Sequence, residues 1–234
     1  SDVYKRQEIT RFAPSPTGHL HIGGARTALF SYLFAKANKG KFLLRFEDTD
    51  QERSKEEYVK SILQSLDWMK IKLDSDPVYQ SKQIAKHKKL AIELYKKGFA
   101  YACDCSEDTL TKMREKQIAK KQKPKYDGLN RNRNIDFAEG MVLRFKFPLE
   151  GVSKFKDLIL GDIAINNKEF DDFIILRSDG SPTYNFSAAV DDMDMKITTV
   201  IRGDDHITNT LKQINVLDAL GGKIPSYAHL PMVL

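Results

Sequence analysis

The sequence has no apolar run of the roughly 18 residues that a membrane-crossing helix requires, and it does not begin with a basic segment followed by an apolar one. A membrane span and a signal peptide are unsupported, and a cytoplasmic protein is expected. Cysteine is nearly missing: Cys103 and Cys105 are the only two, one residue apart. That spacing is awkward for a disulfide and unlike a secreted framework, so metal ligation and simple burial both stay open. Neither GxGxxG nor GxxxxGKS occurs, which disfavours a dinucleotide-dependent dehydrogenase and a P-loop enzyme. Internal repeats and low-complexity linkers are absent as well.

Hydrophobic residues make up 41% of the chain, enough for one large packed domain or two smaller ones. The net charge of +6 is unevenly spread. Lys112, Arg114, Lys116, Lys120, Lys121, Lys123, Lys125, Arg131 and Arg133 crowd one stretch against only Glu115 and Asp127. Such a run is either a solvated face or a surface that contacts phosphates.

Residues 1–7, SDVYKRQ, begin without Met and fit no periodic pattern, so a non-native leader is expected there. A short strand over 8–12 is stopped by Pro14 and Pro16. A helix then starts near Gly23, with Ala25, Leu29, Tyr32, Leu33 and Ala37 spaced as its buried face. The run KFLLRF follows as a strand covered on both sides, which implies a parallel βαβ unit. Ser54, with Glu57 three residues on, predicts a capped helix over 54–66. Another amphipathic helix ends at Gly98. Beyond it the texture changes to a basic helix and the short strand-like runs VLRFKF, LILGDIAI and FIILRSDGSPTYNF, as in a separate antiparallel insert. The strand ITTVIRG and the helix ITNTLKQINVLDALGG then resume the first pattern.

The stretch PSPTGHLHIGGART, Pro14 to Thr27, leads a strand through a Pro and Gly turn into a helix that opens on Gly23 and Gly24. Missing side chains there expose unpaired amides at the positive end of the helix dipole, where an anion is favoured. His21 stands beside them as a donor. The competing reading is a plain strand-to-helix turn with an exposed histidine.

RFAPSPTGHLHIGGARTALF resembles the first signature of class I aminoacyl-tRNA synthetases, and most closely the glutamyl-tRNA synthetase family. LRFEDTD, PTYNFSAAVDD, VIRGDDH and HLPMVL follow in that family's order and spacing, and the similarity runs from about Ile9 to the end. The resemblance implies an α/β fold: a Rossmann-like parallel nucleotide-binding domain over 8–80 and 186–234, interrupted by an α+β insert over 81–185. It implies activation of L-glutamate by ATP with Mg²⁺, then transfer to the 2′-hydroxyl of the terminal adenosine of tRNA-Glu, in a monomer. Transfer to tRNA-Gln is left open.

His21 matches the histidine that stabilises the reacting phosphates. Gly24 stands where many relatives have a second histidine. Ala13, Gly23, Asp205 and Val233 match further nucleotide contacts. Arg11 and Arg202 match cations around the substrate's carboxylates, a task suited to the planar guanidinium fork. Glu47 and Ser15 match the ammonium end, and Tyr184 a pocket wall. Ala188 sits where some relatives place an Asn. Read without the family, these are a strand-end cation, surface ion pairs and an acidic loop.

In relatives with zinc in the insert, two later ligands follow a YDG; here Asn130 and Asn132 stand there, poor ligands beside thiolates, so no zinc is expected at Cys103 and Cys105. The basic stretch from Lys112 through Arg114, Lys116, Lys120, Lys121 and Lys123 to Lys125 matches the face laid over the tRNA acceptor arm. A lysine-bearing loop and an anticodon-binding region follow in the family, so a catalytic fragment of poor activity is expected. Glutaminyl enzymes, the truncated paralogue that glutamylates queuosine in tRNA-Asp, and a non-catalytic RNA-binding module are the competing readings. An intact EDTD, with His21, Glu47 and Arg202 in place, argues against them.

Overall fold

The computed structural model describes residues 7–50 and 52–232; most of the expected leader, and Val233, lie outside them. The expected βαβ unit forms. β1 (Ile9–Phe12) runs through α1 (Ile22–Ala37) into β2 (Lys41–Phe46), parallel and in register from Ile9 opposite Lys41 to Phe12 opposite Leu44. α2 (Glu56–Trp68) leads to β3 (Val78–Tyr79), which adds to the far side of β2. α3 (Ile84–Lys96) ends on Gly98, whose φ of +81° suits a left-handed helix stop.

The insert begins with β4 (Ala100–Cys103), α4 (Glu107–Ala119) and β5 (Val142–Phe145). β6 (Val152–Asp157), β7 (Gly161–Asn166) and β8 (Ile174–Leu176) follow. The chain then returns through α5 (Tyr184–Asp194), β9 (Thr199–Gly203), α6 (Ile207–Ala219) and β10 (Ser226–Leu230). β4, β5 and β8 make an antiparallel sheet. β9 and β10 pair in parallel, and β1 lies beside β9 through Thr198 N–H to Ile9 O at 2.9 Å.

Four expectations are corrected. The β6–β7 hairpin, inside the expected insert of 81–185, pairs in parallel with β10, so it extends the sheet of β9 and β10 rather than packing with the insert's own sheet. β6 itself carries alternating Lys and was not read as a strand. PTYNF does not continue a strand: after the turn at 178–180 it opens α5. The helix expected over 54–66 starts at Glu56 without a side-chain cap, because Lys55 is extended and its N–H bonds to Pro16 O at 3.1 Å. Finally, α1 buries Ala28, Ser31 and Ala35, leaving Leu29 and Leu33 exposed. Small residues let the helix backbone settle close to β1, where Thr10 Oγ1 donates to Ser31 O at 2.8 Å.

One core lies over β1 and β2, built around Phe12, Phe42, Leu44 and Phe46. Another fills the space between the insert sheet, α3, α5 and α6, around Leu143, Phe147, Ile175 and Phe186. The cleft between the two halves lies at the carboxyl ends of the parallel strands, where open α/β sheets take their ligands.

Candidate active site

A cavity of about 600 Å³ opens there. Arg11, Ala13, Ser15, His21, Gly23, Gly24, Glu47, Tyr184, Arg202 and Asp205 all line it. They come from five separate segments, brought together because β1, β2 and β9 end on the same side of the sheet.

At the end formed by α1, His21 is the N-cap of α1, and its Nδ1 accepts from the Gly24 N–H at 3.4 Å. The ring's Nε2–H is thereby left as a donor beside the helix's free amides. Gly23 favours this arrangement: a Cβ there would stand a tight 3.2 Å from the His21 ring. A Cβ on Gly24 would meet Leu20 Cδ1 at 2.8 Å, so a second histidine would require Leu20 to move. His19 turns away to hydrogen-bond Ser61 Oγ at 2.9 Å on α2. Asp205 is mostly exposed, 3.7 Å from His206 Nε2. Gly203 makes room for it, since a Cβ there would lie 2.5 Å from Asp205 Oδ1.

At the other end the walls are charged and buried. Arg11 Nε and Nη2 clasp Asp192 at 3.0 and 3.3 Å. Arg45, wholly buried, bonds Asp192 Oδ1 at 2.7 Å and Glu47 Oε1 at 3.0 Å. Burial pushes the Glu47 carboxyl up despite the pull of Arg45. Burial would do the same to Asp192, yet Arg11 and Arg45 outweigh it and hold that carboxyl at about 2. Behind them Asp191 takes His87 Nε2 and Gln80 Nε2, each at 2.7 Å.

Arg202 is built differently. It is 6% exposed, and no carboxylate lies within ion-pair distance of it among the described residues. Its contacts are neutral: Thr210 Oγ1 at 2.6 Å, His229 Nε2 at 3.4 Å and Tyr184 OH at 3.5 Å. Tyr184 OH also meets His206 Nδ1 at 3.2 Å. The cavity is therefore lined by one buried cation with no carboxylate partner, Arg202, and by a carboxylate, Glu47, held by Arg45, which suits a ligand carrying both an anionic and a cationic group.

Arg26, Arg45, Asp191, Asp192, His87, Asp157 and His229 were not assigned roles from sequence. Arg26 lines the cavity and donates to Pro231 O. The VDD of PTYNFSAAVDD carried the signal for Asp191 and Asp192, but two acids at the end of a helix also read as a solvated turn. Ala188 is fully buried in α5 and does not line the cavity.

Elsewhere, Cys105 Sγ lies 2.9 Å from Asn130 Oδ1, and Tyr126 OH touches both thiols at 3.7 and 3.9 Å. Asn130 thus occupies the place beside the thiols, while its amide binds Asp104. No group of three or more His, Cys, Asp or Glu side chains that could hold a metal is present among the described residues. Within the basic stretch, Arg114, Lys116, Lys120 and Lys121 are exposed and have no ion-pair partner among the described residues. Lys112 pairs with Asp108, Lys123 with Glu169, and Lys125 donates to Lys168 O. Arg131 does not belong to the surface: it is tied to Asp172 and Phe147 O. No helix among the described residues is long and apolar enough to cross a membrane.

A family model described as tRNA synthetases class I (E and Q), catalytic domain, matches residues 8–234. A glutamate–tRNA ligase of Legionella pneumophila strain Corby is 53% identical over 226 residues, which are 96% of this chain and 48% of the relative. Glutamate–tRNA ligase 1 of Coxiella burnetii is 54% identical over the same extent. The chain thus spans about half the length of the curated relatives it matches. Among solved structures, a glutamate tRNA ligase of Elizabethkingia meningosepticum, described as in complex with its amino acid, superposes with a TM-score of 0.89 at 34% identity, covering 97% of this chain and 50% of that one.

Proposed function

The chain belongs to the class I tRNA synthetase catalytic-domain family of the E and Q type, and on that premise we propose that it is the adenylate-forming part of a glutamate–tRNA ligase. The observation that carries this reading is Arg202. A buried guanidinium held only by neutral groups has its charge free for a ligand's carboxylate, and an arginine fork discriminates strongly for that geometry. Arg202 takes the side-chain carboxylate of L-glutamate. Glu47 and Ser15 take its ammonium, and Tyr184 orients the chain between them. Relatives at 53–54% identity that are named for glutamate support the same choice.

With the amino acid so fixed, its α-carboxylate oxygen attacks the α-phosphorus of ATP. The P–O bond to pyrophosphate breaks, and glutamyl-adenylate forms. Charge on the transferring phosphate is met by the His21 Nε2–H and the first amides of α1, with Gly23 and Gly24 allowing close approach. Mg²⁺ is expected to accompany the nucleotide; that ion is held largely by phosphates with one or two carboxylates, and when bound it neutralises phosphate charge. Of the acids lining the cavity, Asp205 is exposed toward the nucleotide end. The 2′-hydroxyl of the terminal adenosine of tRNA-Glu then attacks the acyl carbon and AMP leaves. The exposed cations Arg114, Lys116, Lys120 and Lys121 are proposed to meet the phosphates of the acceptor arm.

Exchange of pyrophosphate into ATP by the full-length gene product, with glutamate or glutamine and with or without tRNA-Glu, tests the reading. Glutamate-dependent exchange is expected, lost at least a hundredfold in Arg202→Gln. Exchange with glutamine alone overturns the assignment.

A further inference from the structure

Arg11 and Arg202 both reach the cavity, but only Arg11 is clasped by a carboxylate. What holds Arg202 is a chain of hydrogen bonds laid across three neighbouring parallel strands. Arg202 on β9 stands in register with His229 on β10, and Asp157 closes β6 opposite Tyr227 of β10. We propose that Asp157 and His229 are a positioning pair that fixes Arg202 without neutralising it, and so sets the site's preference for an amino acid with a side-chain carboxylate over its amide counterpart. This rests on the reading of Arg202 as the carboxylate receptor.

The direction of each bond follows from the chemistry. The Asp157 and His229 side chains are both fully buried, with Asp157 Oδ2 2.6 Å from His229 Nδ1. Asp157 Oδ1 also accepts the backbone N–H of Ile159 and of Leu160, each at 2.9 Å, and Oδ2 that of His229 at 3.1 Å. So many donors keep the carboxyl ionised. An ionised acceptor at 2.6 Å places the imidazole proton on Nδ1, as in any carboxylate-oriented histidine. The Nε2 lone pair then faces Arg202 Nε at 3.4 Å and Thr210 Oγ1 at 2.9 Å. Thr210 Oγ1 accepts from Arg202 Nη2 at 2.6 Å and donates its hydroxyl hydrogen bond to His229 Nε2 at 2.9 Å. Arg202 is thereby aimed through neutral acceptors, with the Asp157 carboxylate set back behind one imidazole.

A carboxylate in the place of His229 would pair with Arg202, as Asp192 pairs with Arg11, and would spend the charge that the ligand needs. A protonated His229 would present a donor to a guanidinium and drive it off. The neutral tautomer is the one state that does neither. Discrimination follows because an amide ligand offers N–H groups that a guanidinium cannot accept, whereas a carboxylate satisfies it fully.

The test is pyrophosphate exchange by the full-length gene product, reading KM and kcat separately for glutamate and glutamine, with KM for ATP and the melting temperature alongside. Asp157→Asn and His229→Leu are expected to raise KM for glutamate at least tenfold, with KM for ATP within twofold of wild type, and to lower the glutamate-to-glutamine preference. His229→Gln, whose carbonyl can still accept from Arg202, recovers part of that preference. Thr210→Val, isosteric and lacking only the hydroxyl, shifts the ratio in the same direction and keeps the test open should Asp157→Asn not fold. Unchanged KM and preference in these variants, while Arg202→Gln loses both, overturns the positioning role alone. So does a fall in melting temperature with all KM values rising together, His229→Gln no better than His229→Leu. A glutamate preference that survives in Arg202→Gln overturns the reading of the site itself.

Discussion

Asp192 shows how one side chain fixes a binding wall. It receives Arg11 from β1 and Arg45 from β2, and so ties the end of α5 to both strands. Burial works against its ionisation, but the two guanidinium groups hold its carboxyl at about 2, below the roughly 3.9 of an unfolded aspartate. A depressed folded value means stabilisation that is complete above about pH 4 and is lost as pH falls through about 2. The shift corresponds to on the order of 2 kcal/mol. Asp192→Asn also strands buried Arg11 and leaves Arg45 to Glu47, so a loss of about 3–5 kcal/mol is expected near pH 7. Urea unfolding of both proteins from pH 7 downward checks this: the gap between them should narrow below about pH 4. Equal midpoints at pH 7 would show that Asp192 does not carry the wall.

Individual elements were unevenly legible. KFLLRF became β2 at its expected limits, because a short, mostly apolar run between a Gly stop and an acidic loop has few other uses. The buried face of α1 was misread for the opposite reason. Spacing favoured the large residues Leu29 and Leu33, while the helix meets the sheet through Ala28, Ser31 and Ala35, whose smallness is the point. Periodicity counts apolar residues and is blind to how close two backbones must come. The β6–β7 hairpin escaped because its alternating Lys and apolar residues look like any solvated hairpin; pairing with β10 is a long-range fact. In the site, the assigned residues that touch the cavity lay inside recognisable motifs; Arg45 and His229 lie inside LRFEDTD and HLPMVL too, but their roles depend on long-range partners, and Asp157 stands behind them with no local signature.

The same closeness yields a prediction for the α1–β2 turn. A Cβ on Gly40 would lie 2.1 Å from the carbonyl oxygen of Glu8, which itself accepts Lys41 N–H at 2.8 Å. Both partners are backbone, so neither can swing aside. Gly40→Ala is expected to destabilise by about 1–3 kcal/mol through overpacking, read as a lower denaturant midpoint with an unchanged slope. An unchanged midpoint would mean that β1 and this turn are free to part.

On the scale of the whole molecule, the net charge of +6 is less informative than its distribution. Some of the positive charge is already used: Arg11 and Arg45 inside the cavity wall, Arg131 against Asp172, Lys36 against Asp74. Lys116, Lys120 and Lys121, at and just beyond the end of α4, have no ion-pair partner among the described residues, and no residue of α4 is fully buried. Leu110 and Met113 pack half-buried against Tyr101, Cys103 and Tyr126, and most of the rest of the helix faces outward, open to a partner. If that partner is the acceptor arm of tRNA-Glu, each phosphate contact releases condensed counterions, and log K falls with log[salt] by about 0.9 per duplex phosphate neutralised. Replacing Lys116, Lys120 and Lys121 together by Gln should therefore weaken tRNA binding and reduce that slope by up to about 3, measured by filter binding from low to moderate salt. ATP binding, proposed at the amino end of α1, should be unaffected. Loss of both ligands in step would point to a damaged fold, and an unchanged slope would move the tRNA to another face of the protein.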